Sequence, residues 1–247
     1  MKVFVYSEKG TTKKICEDAA VINREIFSDT YYACEADAAS CIVALADGVG
    51  GNAGGDCASR YVLDQMKEIP MIGISKEMLK QYILEVNKSL LQYSLNRPTR
   101  KNMATTMTGV IFASEGIYLY HIGNTRLYLL QGNYLKQVTQ DQTTYQWLIN
   151  RGQLESAKQC NKNEIMYCMG GGNEKFVSGI LIDENTSVKT GKRILMTTDG
   201  IHEYLAIDEL EEFMIGDISE KKMKQLAEMA SLRGSVDDKT ILVIDKT

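Results

Sequence analysis

The sequence predicts an α+β fold in which antiparallel sheets carry helices on both outer faces. Residues 105–138 form a strand-rich block broken only by the short turns Ser-Glu-Gly, Gly-Asn and Gln-Gly-Asn, and connections that short join antiparallel neighbours. The helical patterns come in sequential pairs, at residues 56–95 and 207–232, instead of alternating strictly with strands as a doubly wound parallel sheet requires. The 247 residues are 44% apolar and hold only two prolines, Pro70 and Pro98, with no linker or repeat. Residues 1–247 therefore read as one domain with a sizeable core.

The elements follow in order. The opening Lys-Val-Phe-Val-Tyr is a short strand, and residues 19–27 and 31–36 are strand-like around a Phe-Ser-Asp-Thr turn. Residues 40–46, apolar after Ser40, predict a central strand. Ala58, Val62, Met66 and Ile69 recur at helical spacing and predict a helix over 56–69. A second helix spans 75–95, with Leu79, Ile83, Val86, Leu90 and Ser94 on one face and Ser75 as its N-cap. Strands are expected at 105–113, 117–122, 126–130 and 134–138. Residues 141–163 are polar and helix-prone, with Trp147 expected in the core, before Gly170, Gly171 and Gly172 break the chain. Strands at 176–182 and 193–198, short helices at 207–214 and 219–232, and a terminal strand at 240–244 complete the chain.

Bulk properties exclude several functions. A net charge of −4 argues against a nucleic-acid partner, which calls for a basic surface. No apolar run has the length of a membrane span or the form of a secretory leader, and the six scattered cysteines lack a Cys-x-x-Cys pair. A cytoplasmic chain with reduced thiols and no membrane partner is expected. His121 and His202 are far apart, so a His-rich zinc site is excluded; they read as a strand residue and a helix-start residue.

Two apolar runs stop on Asp-Gly: 42–46 runs into Asp47-Gly48, and 194–198 into Asp199-Gly200. Glu17-Asp18 and Asp237-Asp238 also fall at strand boundaries. Any one Asp-Gly pair is an ordinary turn signal; the ordered set of four is the informative pattern. Carboxylates gathered without His or Cys favour hard divalent ions, because their mutual repulsion needs a cation to offset it. Glycine after Asp47 lets the backbone turn and leaves its own carbonyl exposed.

From Lys13 to Val243 the chain resembles the metal-dependent serine/threonine protein phosphatases of type 2C, in their bacterial form. The segments that carry the likeness are KKICEDA, ALADGVGGNAGGDCAS, MATTMTGVIF, YHIGNTRLYLL, QVTQDQT, NKNEIMYCMGG, ILMTTDGIHEYL and SVDDKTILVI. The resemblance implies a four-layer α-β-β-α sandwich, two antiparallel sheets flanked by helices, with a two-metal site at one end. It assigns two Mn2+ or Mg2+ ions to Asp47, the Gly48 carbonyl, Asp199 and Asp237, with Glu17 and Asp18 acting through waters on the metals. A water activated between the ions would hydrolyse phosphoserine or phosphothreonine in proteins, so that Asp47, Asp199 and Asp237 are catalytic through the metals. Lys13 takes the phosphate-binding place, and residues 141–170 the place of a flap. The implied partners are phosphorylated proteins and an opposing serine/threonine kinase, and the implied state is a monomer.

Four positions depart from the family pattern. Lys13 stands for a phosphate-holding arginine and offers charge without a bidentate fork. Asn124 replaces an aspartate that binds a third metal in related enzymes, so that position is weakened. Val49 occupies the place of a proton-donating histidine, and Asp238 that of an asparagine. Two other readings remain open: a degenerate phosphatase-like binding module without turnover, and a narrow phosphatase of a sigma-factor regulator.

Overall fold

The protein is described by a computed structural model over residues 1–49, 54–184, 188 and 191–247. Gly50 and Gly51, part of the glycine-rich motif, lie outside the described residues. Two six-stranded antiparallel sheets face each other. The first runs β10 (Tyr134–Gln137), β9 (Arg126–Gln131), β13 (Arg193–Thr197), β14 (Lys239–Asp245), β1 (Lys2–Glu8) and β4 (Tyr31–Glu35). The second runs β12 (Leu181–Glu184), β8 (Ile117–Ile122), β7 (Met107–Phe112), β5 (Cys41–Asp47), β2 (Asp18–Ile22) and β3 (Glu25–Phe27). A small ladder pairs β6 (Ala104–Thr105) with β11 (Met169–Gly170).

Period-two alternation explains the layers. Val3, Val5, Val43, Leu45, Leu242 and Ile244 point between the sheets and form the central core. Ile42, Ala44 and Ala46, on the opposite face of β5, pack under α1 (Gly55–Met66) and α2 (Lys76–Leu95). Ile241 and Val243, on the opposite face of β14, pack under α6 (Ile207–Met214) and α7 (Glu220–Leu232). Because both faces of β5 and β14 are buried, both strands read as continuous apolar runs. The expected α-β-β-α sandwich is therefore what the chain forms.

Ser75 caps α2 by accepting the Met78 N–H at 3.2 Å. Three local expectations need correction. Residues 19–27 are not one strand: Asn23, at φ 54°, turns the chain between β2 and β3. The strand expected at 176–182 is instead a 3-10 helix, Glu174–Gly179, capped by Asn173, and only β12 is extended. Trp147 is not core; it is 40% exposed on the short helix α3 (Thr144–Asn150), with the Arg151 guanidinium 4.1 Å from its ring centre. Helix α4 (Leu154–Gln159) follows it.

Candidate metal centre

One end of the sandwich gathers strand termini from both sheets. Asp47, the last residue of β5, lies opposite Asp18, the first of β2. The Asp47 N–H donates to Thr106 Oγ1 at 3.0 Å, while its carbonyl accepts from Thr105 Oγ1 at 2.8 Å and the Thr106 N–H at 2.9 Å. With its backbone saturated, only the carboxylate is left to face the cleft. Gly48 follows because nothing larger fits: a Cβ there would lie 2.4 Å from the backbone of Gly55 at the start of α1. The N–H of Gly48 donates to the Glu17 carbonyl at 3.1 Å. Val49 donates its N–H to Ala104 O at 3.0 Å and brings no proton donor.

The first sheet supplies the other side. Asp199 opens the short helix α5 (Asp199–His202) directly after β13, and Asp237 precedes β14. Asp18 joins the two sheets: its Oδ2 accepts from Thr198 Oγ1 at 2.9 Å and Thr240 Oγ1 at 2.7 Å. Asn124 donates from Nδ2 to Asp199 Oδ2 at 3.1 Å; a carboxylate only accepts, so this contact fixes which way the amide faces. The Lys13 ammonium donates to Glu17 Oε2 and lies 3.2 Å from Asp237 Oδ1. The candidate site residues Lys13, Glu17, Asp18, Asp47, Gly48, Asn124, Asp199 and Asp237 are thus brought together at one end of the sandwich.

The electrostatics are unfavourable as they stand. Burial, followed by the charges of Asp199, Asp18 and Asp237, holds the Asp47 carboxyl well above the usual range. Asp18 is raised by burial and by Asp238. Asp199 is pushed up to about 6 by burial, Asp237 and Glu203, against the easing effect of Asn124 and Asp47. No three Asp, Glu, His or Cys groups among the described residues converge closely enough, as placed, to hold one ion. The partners explain this: Asp237 leans toward the Lys13 ammonium, and Asp199 toward the Asn124 amide. The donor set nevertheless suits a hard divalent cation. It is all oxygen, Asp18 Oδ1 is buried without a hydrogen-bond partner, and an ammonium already sits among the carboxylates.

A raised carboxyl favours the folded state when protonated, so its stabilisation is complete below the unfolded value near 3.8 and disappears as pH rises through about 6. In metal-free protein, wild type should therefore lose ~2 kcal/mol relative to Asp199→Asn between pH 4 and pH 7. Urea unfolding of both proteins across that range reads the difference; parallel curves would refute it.

Several side chains beyond the candidate ligands contribute. Glu203 follows Asp199 by one helical turn and adds its charge to the cluster. Lys239 is 1% exposed, with Nζ 3.1 Å from both the Asp237 carbonyl and Glu8 Oε1. Arg126 forms a fork to both Asp141 oxygens, at 2.8 and 2.6 Å, in a cleft of about 390 Å³ that Tyr145, Lys162, Glu203 and Tyr204 also line. Both histidines are structural. His121 Nδ1 lies 2.8 Å from Thr108 Oγ1 and His202 Nδ1 lies 2.9 Å from Thr197 Oγ1, and burial lowers both pKa values.

Comparison with known proteins identifies the family and matches the fold. The family model described as protein phosphatase 2C matches residues 18–231. Serine/threonine phosphatase Stp of Listeria monocytogenes serotype 4b (strain F2365) is 28% identical over 219 residues, covering 83% of this chain and 84% of its own. The crystal structure of the Mycobacterium tuberculosis serine/threonine phosphatase PstP/Ppp superposes with a TM-score of 0.77 at 25% identity over 99% of each chain. The catalytic domain of PstP solved in complex with two manganese ions superposes with a TM-score of 0.74 at 24% identity, again over 99% of each chain. A match that takes in most of both sheets and the helices on either face settles the kinship: the chain belongs to the protein phosphatase 2C family, the metal-dependent serine/threonine protein phosphatases.

Proposed function

We propose that the chain removes phosphate from phosphoserine and phosphothreonine in proteins at a two-ion site, with manganese or magnesium held by Asp47, the Gly48 carbonyl, Asp199 and Asp237. The observation that carries this reading is the gathering of strand-end carboxylates from both sheets at one end of the sandwich, with raised pKa values and the unpartnered Asp18 Oδ1. The PstP neighbour solved with two manganese ions supports it. When bound, such ions offset charge on the phosphoryl oxygens and make water acidic enough to attack phosphorus near neutral pH.

The chain's own groups do the rest. Asp18, gripped by Thr198 and Thr240, and Glu17, against the start of α1, orient waters around the ions. Lys13 Nζ, 3.2 Å from Asp237 Oδ1, would bind a phosphoryl oxygen as a point charge. Val49, two residues after Asp47, has no proton to donate, so a metal-bound or solvent water would protonate the departing serine or threonine oxygen. Asn124 spends its amide on Asp199 and brings no charge, so a third ion is held weakly at best. Residues 141–170 act as a flap beside the Arg126–Asp141 cleft, within a single domain spanning 1–247. The partners are phosphoproteins and an opposing kinase, and the chain acts as a monomer in the cytoplasm. Among the described residues no helix is long and apolar enough to cross a membrane.

The test is phosphate release from a phosphothreonine peptide with Mn2+, with Mg2+ and with chelator, beside calorimetric titration of the ions. Release that requires the metal, with about two ions per chain, is expected. No release in excess Mn2+ would leave the binding-module reading standing.

A further inference from the structure

Asp238 follows Asp237 directly, and its side chain is buried, 3% exposed, against the segment 10–17. Its two oxygens have separate tasks. Oδ1 accepts the Gly10 N–H at 2.7 Å, and Oδ2 accepts the Glu17 N–H at 2.7 Å. One carboxylate therefore joins the two ends of a loop whose middle carries Lys13. The same loop is pressed onto the Asp237 backbone: a Cβ at Gly10 would lie 2.4 Å from Val236 O and 2.6 Å from Asp237 C. On the other side, Lys239 Nζ ties the Asp237 carbonyl to Glu8, just before the loop.

We propose that Asp238 is a positioning residue for dephosphorylation: its carboxylate clasps residues 10–17 at both ends and so sets where Lys13 and Glu17 stand relative to Asp237. This rests on the two-ion reading above, in which Asp237 holds an ion and Lys13 meets the phosphate. The chemistry explains why an aspartate stands where the family pattern has asparagine. Two N–H donors need two acceptors, and an amide offers only one; its NH2 would face the other donor. Burying the charge is tolerable because each oxygen takes a short charge-assisted bond. Both oxygens of the second carboxylate beside Asp237 are thus committed to the loop, while its charge still adds to the repulsion felt by Asp18.

Asp238→Asn and Asp238→Ala remove the same charge, but Asn keeps one acceptor. The clasp requires graded damage: KM for a phosphothreonine peptide with Mn2+ should rise about tenfold in Asn and further in Ala, with kcat changed less. Equal effects in the two variants would assign the role to charge alone and overturn the clasp. So would a lower melting temperature with KM unchanged. Because Asp238→Ala could fail to fold, the isosteric Asn is also placed in a Lys13→Met background. There it should alter KM less than about twofold, since the clasp acts through Lys13; a full additive effect overturns the proposal. Amide exchange at Gly10 and Glu17, read without metal or substrate, should quicken in Asp238→Asn, and unchanged exchange refutes the clasp. That measurement judges the clasp independently: a wild type that releases no phosphate would count against the two-ion reading, not against the loop's attachment.

Discussion

Asp47→Asn should lower kcat on a phosphopeptide by roughly 10²–10³-fold while making the metal-free protein more stable. The two effects share one cause. Asp47 is buried among the charges of Asp199, Asp18 and Asp237, and Lys13 eases its ionisation. An amide of the same shape removes one member of a repelling set and can still donate to Asp199, which Asp47 faces within hydrogen-bonding reach. Relief of ~1–2 kcal/mol corresponds to a melting temperature higher by about 2–8 °C for a chain of this size. The sign reverses with metal. Excess Mn2+ stabilises wild type by mass action, because it binds the folded state, whereas a variant with a damaged site gains little. Differential scanning of both proteins, with chelator and with Mn2+, should give crossing orders of stability. Turnover by Asp47→Asn equal to wild type would remove the carboxylate cluster from the mechanism, whatever the melting curves show.

The sequence carried the sandwich and most of the site because both are written in local patterns. The strand ending at Asp47 was legible from its unbroken apolar run, which the structure explains by burial on both faces. The carboxylates were legible because each stands at a strand end next to a turn. What was missed depends on contacts remote in sequence. Thr198 and Thr240 meet Asp18 across separations of 180 and 222 residues, and nothing near either threonine announces it. In the sequence Asp238 stands only as a departure from asparagine beside Asp237, and the folded loop reveals that its oxygens face Gly10 and Glu17. Trp147 was placed in the core on the weight of its ring, but α3 is a seven-residue helix that buries only Leu148. The apolar run at 176–182 was too short to fix a period, and Asn173 accepting the Lys175 N–H at 2.9 Å starts a 3-10 turn there instead.

Gly200→Ala should be among the most damaging substitutions that leave every charged group in place. A Cβ at position 200 would lie 2.0 Å from the Asp238 carbonyl oxygen and 3.2 Å from Lys239 Cγ. The nearest obstacle is backbone, so no side-chain rotation relieves the overlap and the helix α5 must move off the start of β14. Ser235, which donates to Gly200 O at 2.8 Å, would be drawn out of place with it. That shift separates Asp199 from Asp237, so stability and ion binding should fall together. A loss of ~3 kcal/mol corresponds to a melting temperature lower by about 6–12 °C. Gly132→Ala separates this steric cause from the general effect of replacing glycine. Gly132 sits at φ 62° in the turn between β9 and β10 with nothing within 4 Å of the added carbon, so backbone strain of ~1 kcal/mol is its whole cost. Mn2+ affinity should be unchanged in Gly132→Ala and at least about tenfold weaker in Gly200→Ala. Similar melting temperatures and affinities for the two variants would mean that the packing of α5 against β14 does not set the spacing of the carboxylates.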